Sequence, residues 1–290
     1  MFSAISSEFS TTRTVTRQQP VLKKQAEDKF ETVMFLPEGG SRQGEGGLRT
    51  QGYFKTNVED KPLITVITVV FNGEKLLEET IQSVINQTYD NVEYIIIDGG
   101  SSDGTLDIIR KYEHAIDYWV SEKDKGIYGA MNKGCMLALG DGINFLNAGD
   151  WYNGDVINSE IKIPSLVPVK FTVKNKNKKF TRKKVAWLGM PYCHQGIFFK
   201  NRKKLYLELY KISSDYQYFL DHEDDMKFLK VQANGDASFI VYDKSGVSSV
   251  NKRLRNLETL KIIEDNFPKY KYFIAWLFLK FKGLFYKLII

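Results

Sequence analysis

Four polar side chains recur at a fixed interval in the first half of the chain, each just after an apolar run. They are Asn72, Asp98, Asp124 and Asp150, and each lies 26 residues after the one before. One β-α unit accounts for an interval of this length. Because parallel strands of an open α/β sheet present their carboxyl ends at one edge, the spacing predicts that the four groups meet there and form a ligand site.

The residue types at this edge indicate a metal-assisted diphosphate site. The first turn, "FNGEKLLE" at 71–78, lacks the glycine pattern of dinucleotide-binding folds and the lysine of P-loop NTPases. Carboxylates are ligands that Mg²⁺ or Mn²⁺ prefers, and such a metal commonly binds substrate phosphates through only one or two protein acids. An alternative is that these polar groups simply end strands, or that Asp150 caps a turn or helix.

Alternating apolar segments predict the elements that hold these residues. The runs "LITVITVV", "VEYIIID", "AIDYWVS" and "DGINFL" have the composition of strands buried on both faces. Helical patterns lie between them, in "EKLLEETIQSVINQTY", "SSDGTLDIIRKY" and "IYGAMNKGCMLALG". The order predicts an α/β fold, with a mostly parallel sheet flanked by helices on both faces.

Composition divides the remaining chain. Residues 1–60, with a glycine-rich stretch at 36–55, are predicted to be a flexible N-terminal extension, and a globular domain is predicted over 61–268. Cys135 and Cys193 match no zinc or disulfide spacing and indicate a reducing, cytoplasmic compartment. The net charge of +6 includes a basic run at 174–184, read either as a solvated loop or as a contact with an anionic surface. Without a nucleic-acid-binding motif, no nucleic-acid partner is predicted.

The C-terminal segment, residues 269–290, is hydrophobic and basic. Its longest uncharged run, "YFIAWLFL" at 272–279, is eight residues, whereas a spanning helix needs roughly twenty. Aromatic residues interleaved with lysines are typical of a segment that lies on an anionic membrane surface. We therefore expect peripheral attachment to the inner face of the membrane. The alternatives are packing against the globular domain or against a second subunit.

Several segments between Pro62 and Trp151 resemble one enzyme family. They are "ITVVFNG", "ETIQSVINQTYDNVEYIIIDGGSSDGT", "SEKDKGIYGAMNKG" and "GDGINFLNAGDW". In this order and spacing they resemble the family 2 glycosyltransferases, inverting enzymes of the GT-A fold that use nucleotide-sugar donors. "YCHQGIFF" and "SSDYQYFL" resemble the acceptor-side half more loosely, and "EGGLRTQGYF" resembles an arm of a branch associated with bacterial surface polysaccharide.

The resemblance implies a division of the globular domain and a set of binding residues. The nucleotide-sugar half would cover about 61–151 and the acceptor half about 152–268, with helices at the C-terminus. Asp150 would bind the metal, Mg²⁺ or Mn²⁺, and Asn147 would mainly orient the pyrophosphate. The residues implied in nucleotide-sugar binding are Phe71, Asn72, Asp98, Gly99, Asp124, Lys125, Asn132 and Asn147.

Two glycines depart from the family pattern. Gly99 stands where a second acid is usual, which leaves the donor base open. Gly129 stands where the form "YDAMNKG" has an acid. The consequences open at this point are a missing sugar contact, an altered donor preference or a loss of activity.

The resemblance also implies a catalytic base. An inverting transfer needs a carboxylate on the acceptor side, and Asp215 matches the family position. Acids in "DHEDD" at 221–225 are rivals, although a solvated acidic run is their simpler interpretation. His194 and Gln195 would contact the acceptor or the diphosphate, with a buried, hydrogen-bonded histidine as the alternative.

The implied function is the transfer of a sugar from a nucleotide-diphosphate sugar to a hydroxyl of a glycan or lipid-linked acceptor, in cell-surface polysaccharide synthesis. The alternative is a degenerate protein of the same fold that binds sugar nucleotides or acts as a scaffold without turnover. A nucleotidyltransferase is a third and weaker hypothesis, because its Gly/Arg/Lys-rich first loop is absent.

Overall fold

The computed structural model of the chain describes residues 3–289, apart from positions 23, 25, 59, 174–175, 180–184, 228, 232–237 and 243–250. Its central sheet is built from β1 (Gly44–Gly46), β2 (Ile64–Val70), β3 (Val92–Asp98), β4 (Tyr118–Ser121), β5 (Gly142–Phe145), β7 (Ser165–Leu166), β10 (Ile197–Lys200) and β11 (Lys230–Val231). The spatial order of these strands is β1-β4-β3-β2-β5-β10-β7-β11.

The four central strands are parallel, as the sequence predicts. β2 pairs with β3 from Ile64 opposite Val92 to Val70 opposite Asp98, and with β5 on its other side. Every residue of β2 and β3 is buried. Their β-branched, apolar composition suits strands that helices cover on both faces. The outer strands differ, because β1 and β10 both run antiparallel to their central neighbours.

Helices cover both faces of the sheet. They are α1 (Leu77–Ile85), α2 (Thr105–Lys111), α3 (Ile127–Leu137), α4 (Ser214–Asp221), α5 (Glu223–Met226), α6 (Lys252–Asn266) and α7 (Lys269–Ile289). One face packs with α1 and α2 through residues such as Ile81 and Ile109. The other packs with α3, α4 and α6 through residues such as Met131, Phe219 and Ile262. The predicted α/β architecture is confirmed.

A second, smaller sheet lies in the second half of the chain. It is formed by β6 (Trp151–Asn153), β12 (Phe239–Tyr242), β8 (Val169–Val173) and β9 (Lys176–Lys179), in this spatial order. Most of the basic run at 174–184 lies outside the described residues. Its described part is β9, which pairs antiparallel with β8.

The N-terminal residues pack on the domain, which differs from the flexible extension predicted over 1–60. β1 extends the central sheet by pairing with β4. Arg49 is buried, and its guanidinium lies 2.6 Å from the buried carboxylate of Glu93 while also donating to the carbonyls of Met34 and Leu137. These contacts tie the N-terminal residues to β3 and to the end of α3.

Glycine in this region permits close packing. Gly47 has φ of +102°, and a Cβ there would lie only 2.7 Å from the carbonyl oxygen of Ile116. The backbone of the extension therefore approaches the chain just before β4 more closely than a residue with a side chain could. The same glycines predict flexibility from the sequence, because a glycine-rich stretch occurs both in flexible chain and where two backbones pack closely.

The C-terminal helix α7 rests on the domain through part of its surface. Ala275 is buried and Tyr272 packs against the core, whereas Tyr270, Phe273 and Ile274 are exposed. Within the described part of the chain, no helix is long and apolar enough to cross a membrane.

Candidate functional site

The carboxyl ends of the central strands form one edge, where the sequence analysis places the site. Val70, Asp98 and Ser121 lie side by side in the register of β2, β3 and β4. The chain after β5 continues along β2, since the amide of Ala148 donates to the carbonyl of Val69 over 3.2 Å. The structure therefore brings the segments that contain Asn72, Asp98, Asp124 and Asp150 to the same edge.

Asp98 shapes the turn that follows β3. Its buried carboxylate accepts hydrogen bonds from the amides of Gly100 (3.2 Å) and Ser101 (3.0 Å), and from the hydroxyls of Ser101 and Ser121. Four bonds fill most of the acceptor capacity of a carboxylate. In this arrangement Asp98 holds the turn in place, and the surface available to a ligand is that of the turn and of its neighbours.

An exposed aromatic ring stands beside this turn. Phe71 follows β2 with a relative exposure of 67 %. A Cβ at Gly99 would lie 3.5 Å from the Phe71 ring and 3.3 Å from a carboxylate oxygen of Asp124. Asn72, with φ of +52°, accepts from the amide of Ser102 over 2.9 Å and so joins the two loops. The free face of Phe71 suits the stacking of a planar base.

Asp124 belongs to a chain of alternating charges. Its carboxylate pairs with Lys133 of α3, Lys133 lies 2.8 Å from Glu122, and Glu122 lies 3.0 Å from Arg42 of the N-terminal residues. Burial raises the pKa of Asp124, which the pairing with Lys133 opposes. Burial also acts to raise the pKa of Glu122, but the bonds from Lys133 and Arg42 outweigh it and the pKa is lowered.

Lys125 and Asn132 receive different environments. Lys125 is exposed at the edge, just before α3. Asn132 is buried, with its amide nitrogen donating to the carbonyl of Tyr206 (3.0 Å) and its oxygen accepting from the Tyr206 amide (2.7 Å). Asn132 thus fastens residues 201–213, here called the joining segment, to α3. The sugar-nucleotide contact predicted for Asn132 stays a prediction, while in this structure both ends of its amide bind the backbone of Tyr206.

The turn from Asn147 to Asp150 offers oxygen ligands. The amide of Asp150 donates to the carbonyl of Asn147 over 2.9 Å, and Thr80 of α1 bonds both Gly149 and the Asp150 carbonyl. Asp150 is 3 % exposed. Within the described residues, the side-chain oxygen of Asn147 is buried without a hydrogen-bond partner. A buried amide oxygen of this kind fits a role toward a cation or a donor group of a ligand.

The protein ligands at this turn suit a metal that is shared with a substrate. Among the described residues, no three acidic, histidine or cysteine side chains gather into a metal-binding group. Magnesium does not require such a group, because it often uses one or two protein oxygens together with water and phosphate. The donor set of Asp150 and Asn147 agrees with this pattern.

Asp215 approaches the same region from the acceptor side. It lies in the first turn of α4, half-buried, and accepts from the amide of Tyr216 over 2.9 Å. Burial and then the negative charge of Asp215 raise the pKa of Tyr128, a residue of α3 whose hydroxyl donates to the carbonyl of Ile212. The hydrogen bond from Tyr128 to Ile212 joins the chain three residues before Asp215 to the first turn of α3, the helix that follows Asp124 and Lys125.

A residue of α6 fixes the chain just before Asp215. The buried carboxylate of Glu258 accepts from the amides of Lys211 (2.7 Å), Ile212 (2.9 Å) and Ser213 (2.9 Å). Nothing in the local sequence of "LRNLETLK" distinguishes Glu258 from an exposed helix acid. Its role depends on the packing of α6 against the end of the joining segment.

His194 and Gln195 are placed in the core. The Nε2 of His194 lies 2.5 Å from the hydroxyl of Tyr206, and its ring stacks on Phe145. Burial lowers the pKa of His194 to about 3, so the ring is neutral near pH 7. The Gln195 side chain accepts from Cys193 over 3.0 Å. The predicted contact of both residues with the diphosphate or the acceptor stays a prediction, while their packing corresponds to the buried alternative.

The sequence analysis missed three charged residues near this edge. Arg42 comes from the part predicted to be flexible, Lys133 is inside a motif assigned to the nucleotide sugar, and Glu208 lies in the joining segment without any recognisable pattern. A cleft of about 340 Å³ lies instead at the opposite end of the strands, lined by Leu139, Asp141, Lys200 and Lys203 among others.

Comparisons with known proteins agree with this arrangement. Residues 65–163 match the model of glycosyl transferase family 2. An uncharacterized glycosyltransferase of Mycobacterium tuberculosis is 40 % identical over 103 residues, which are 35 % of this chain and 39 % of the relative. The Escherichia coli protein WfaP, named as a UDP-Glc:alpha-D-GlcNAc-diphosphoundecaprenol beta-1,3-glucosyltransferase, is 32 % identical over 39 % of this chain and 45 % of its own length. The chain thus spans less than half the length of these relatives.

A solved structure shares the fold over a longer span. The crystal structure of Staphylococcus aureus TarS residues 1–349 in complex with UDP-GlcNAc superposes with a TM-score of 0.55 at 16 % identity, covering 69 % of this chain and 65 % of that one. At this identity the likeness supports the fold alone. Residues 65–163 are therefore similar in sequence to the family 2 glycosyltransferases, and the chain shares its α/β fold with TarS.

Proposed function

We propose that the chain is an inverting glycosyltransferase that moves a sugar from a nucleoside-diphosphate sugar to a hydroxyl of a glycan or lipid-linked acceptor. One observation carries the proposal: Tyr128, in the first turn of α3, donates a hydrogen bond to the carbonyl of Ile212, three residues before Asp215, and α3 follows Asp124 and Lys125 at the strand edge. In this proposal the donor-binding groups and the carboxylate base act from neighbouring segments of the chain. The printed name of WfaP, with its UDP-Glc donor and lipid-diphosphate acceptor, supports the same reaction class in a surface-polysaccharide setting.

The residues at the edge would divide the work of binding. The exposed Phe71 ring provides a stacking face for the base beside the turn that Asp98 holds. Lys125 supplies a positive charge for a phosphate. Asp150 and Asn147 would hold Mg²⁺ or Mn²⁺, which when bound neutralises charge on the departing diphosphate.

The transfer then needs one proton acceptor. The acceptor oxygen forms a bond to the anomeric carbon while the bond between that carbon and the diphosphate oxygen breaks. Asp215 takes the proton of the attacking hydroxyl, and the nucleoside diphosphate leaves. Attack from the face opposite the leaving group inverts the anomeric configuration.

Calorimetry with UDP and GDP tests the donor site. We expect one of the two to bind in the presence of Mg²⁺ or Mn²⁺, and its affinity to fall by about tenfold when EDTA removes the metal, because repulsion by the edge acids is then uncompensated. Asp150→Asn should reproduce the EDTA effect. Binding that ignores EDTA would remove the metal from the proposal, and failure of both nucleotides to bind would contradict the proposal itself.

The alternative of a binding protein without turnover shares the donor site but not the chemistry. Gly99 and Gly129, where the resemblance expects acids, favour it, whereas Asp98, Asp124, Asp150 and Asp215 favour the enzyme. Product analysis after incubation with UDP-glucose, UDP-GlcNAc or GDP-mannose and a lipid-linked saccharide acceptor separates the two. Tight donor binding with neither transfer nor donor hydrolysis would support the alternative.

Membrane attachment through α7 is a second part of the proposal. Tyr270, Phe273 and Ile274 are exposed on this helix, and lysines lie among them at 269 and 271. Exposed aromatic residues beside lysines suit the headgroup region of an anionic bilayer. Attachment there would bring the acceptor side of the enzyme to a lipid-linked substrate.

Liposome sedimentation tests this attachment. The full chain should pellet with anionic vesicles at low salt, and replacement of Tyr270, Phe273 and Ile274 by serine should leave it in the supernatant. Serine at Leu257, an exposed residue of α6, serves as the control and should leave sedimentation unchanged. Equal sedimentation of all three proteins would contradict attachment through α7.

A further inference from the structure

The joining segment places a carboxylate beside the only glycine in the first turn of α3. Glu208 is exposed, and its Oε1 lies 3.8 Å from the point where a Cβ would stand at Gly129. Lys125 borders the same point, with its Cβ 3.5 Å away. Position 129 therefore has room for a side chain on this side of the helix, and the acidic group that reaches it belongs to a distant part of the chain.

Contacts within the protein hold Glu208 in this position. Asn132, one turn further along α3, donates to Oε1 of Glu208 over 3.3 Å, and the same amide nitrogen donates to the carbonyl of Tyr206. Because Asn132 also accepts from the Tyr206 amide, the chain two residues before Glu208 is fixed at both its backbone groups. The carboxylate is thus preorganised, although it stands at the surface.

The charge of Glu208 is available to a ligand. Among the described residues, no lysine or arginine forms an ion pair with its side chain. An ionised carboxylate is an acceptor with two oxygens, which suits neighbouring hydroxyl groups of a sugar. Hydrogen bonds to a charged acceptor are about twice as strong as neutral ones, so the contact would add appreciably to binding.

We propose that Glu208 binds hydroxyl groups of the transferred sugar of the donor. This inference rests on the proposed glycosyltransferase function and deepens it by naming a residue that recognises the sugar. Glu208 lies beside the helix that follows Asp124 and Lys125, so a diphosphate near Lys125 brings its attached sugar toward Gly129 and Glu208. The joining segment then takes part in binding the donor sugar through Glu208 and also positions Asp215, which lies two residues after the end of the segment.

Calorimetry with paired ligands tests the role of Glu208. The ligands are UDP-glucose, UDP-GlcNAc and GDP-mannose, each compared with UDP or GDP alone. Glu208→Ala should weaken the sugar nucleotide that the wild-type chain binds by roughly ten- to a hundredfold, the range of a lost bond to a charged group. The matching nucleoside diphosphate should bind within about twofold of wild type. Glu264→Ala, which removes an exposed acid of α6, is the control and should change neither affinity.

A rescue variant separates a sugar contact from a structural effect. Gly129→Asp has room for its Cβ and restores a carboxylate to the same space. In the Glu208→Ala background it should recover at least part of the lost sugar-nucleotide affinity, whereas Gly129→Ala should not.

Three results would overturn the inference. One is an equal loss of affinity for the sugar nucleotide and the free diphosphate, which means that Glu208 only holds the joining segment. Another is unchanged binding of both. The last is a wild-type chain that binds neither UDP nor GDP, in which case the proposed function fails together with the inference.

Discussion

The donor half and the joining segment place their chemical groups by different means. In the donor half, Asp98 ends a strand whose neighbours on both sides are fixed by backbone pairing from Val70 to Ser121. The joining segment, residues 201–213, contains no strand or helix. Side chains of other elements hold much of it, among them Asn132 of α3, Asp225 of α5 and Glu258 of α6.

This difference has a consequence for single substitutions. A backbone ladder keeps its register when one side chain changes, because its hydrogen bonds belong to the main chain. A segment held largely by side chains loses an attachment when one of them is substituted. Changes near Asp215 should therefore affect transfer while binding of the nucleoside diphosphate stays intact, and the following experiments examine that expectation.

The largest effect is expected for Asp215→Asn. Loss of the base should lower the rate of sugar transfer by about 10²–10⁴-fold, the usual contribution of general base catalysis. Affinity for the nucleoside diphosphate should stay within about twofold, since Asp215 acts on the acceptor. Transfer rates measured beside calorimetric affinities check this, with Glu264→Ala, an exposed acid of α6, as the control. A matching loss of donor affinity would show that Asp215 contributes to nucleotide binding. The donor half and the acceptor side would then not be functionally separate.

Arg49→Leu tests the anchoring of the N-terminal residues to the donor half. The substitution leaves the buried Glu93 carboxylate without its cationic partner, which typically costs about 3–5 kcal/mol of unfolding free energy. Urea unfolding measures the change. Arg110→Leu removes an exposed arginine of α2 and should cost far less. If Arg49→Leu changes the free energy of unfolding only slightly, the result would support the prediction that the N-terminal residues are a flexible extension.

The acid sensitivity of the acceptor side is expected to be next in size. Burial lowers the pKa of His194 to about 3 and that of His222 to about 4. Below pH 6.5 these two histidines bind protons in the unfolded chain but stay neutral in the folded protein. The free energy of unfolding therefore falls as the pH decreases from 6.5 toward 3. Each histidine contributes at most about 1.4 kcal/mol per pH unit in this window.

His194→Phe removes the contribution of His194 to the pH dependence of the free energy of unfolding. The free energy of unfolding of the variant should fall less steeply between pH 6.5 and 5, by about 2 kcal/mol in total, whatever its absolute stability. Urea unfolding at several pH values gives the slopes. Leu257→Ser, which changes an exposed residue of α6 that does not titrate, should leave the slope at the wild-type value. Parallel slopes for His194→Phe and wild type would show that the ring is charged in the folded protein.

Glu258→Ala should have the smallest effect on activity among these variants. It is the most direct test of the difference between the donor half and the joining segment. It removes the acceptor for three amides just before Asp215, so we expect the turnover number to fall by about tenfold with the donor KM nearly unchanged. Glu264→Ala, an exposed acid of the same helix, is the control. An equal change in donor KM would mean that α6 supports both regions alike.

The sequence by itself determined the architecture of the donor half. Apolar β-branched runs, helical patterns between them and the interval of 26 residues specify parallel strands with a shared carboxyl edge, because local periodicity and short right-handed crossovers leave few other arrangements. The family resemblance over Pro62 to Trp151 added roles for Phe71, Asp124 and Asp150 within that frame. None of these conclusions required knowledge of contacts between distant residues.

Only the tertiary structure decided which side chains face the ligand space. Asn132 shares a motif with Lys125, yet it binds the backbone of Tyr206, 74 residues further along the chain. The glycines near residue 47 serve close packing, and Glu208 reaches Gly129 from the joining segment. Such pairings join residues far apart in sequence, and the direction of a side chain depends on what packs against it, so no local pattern encodes them.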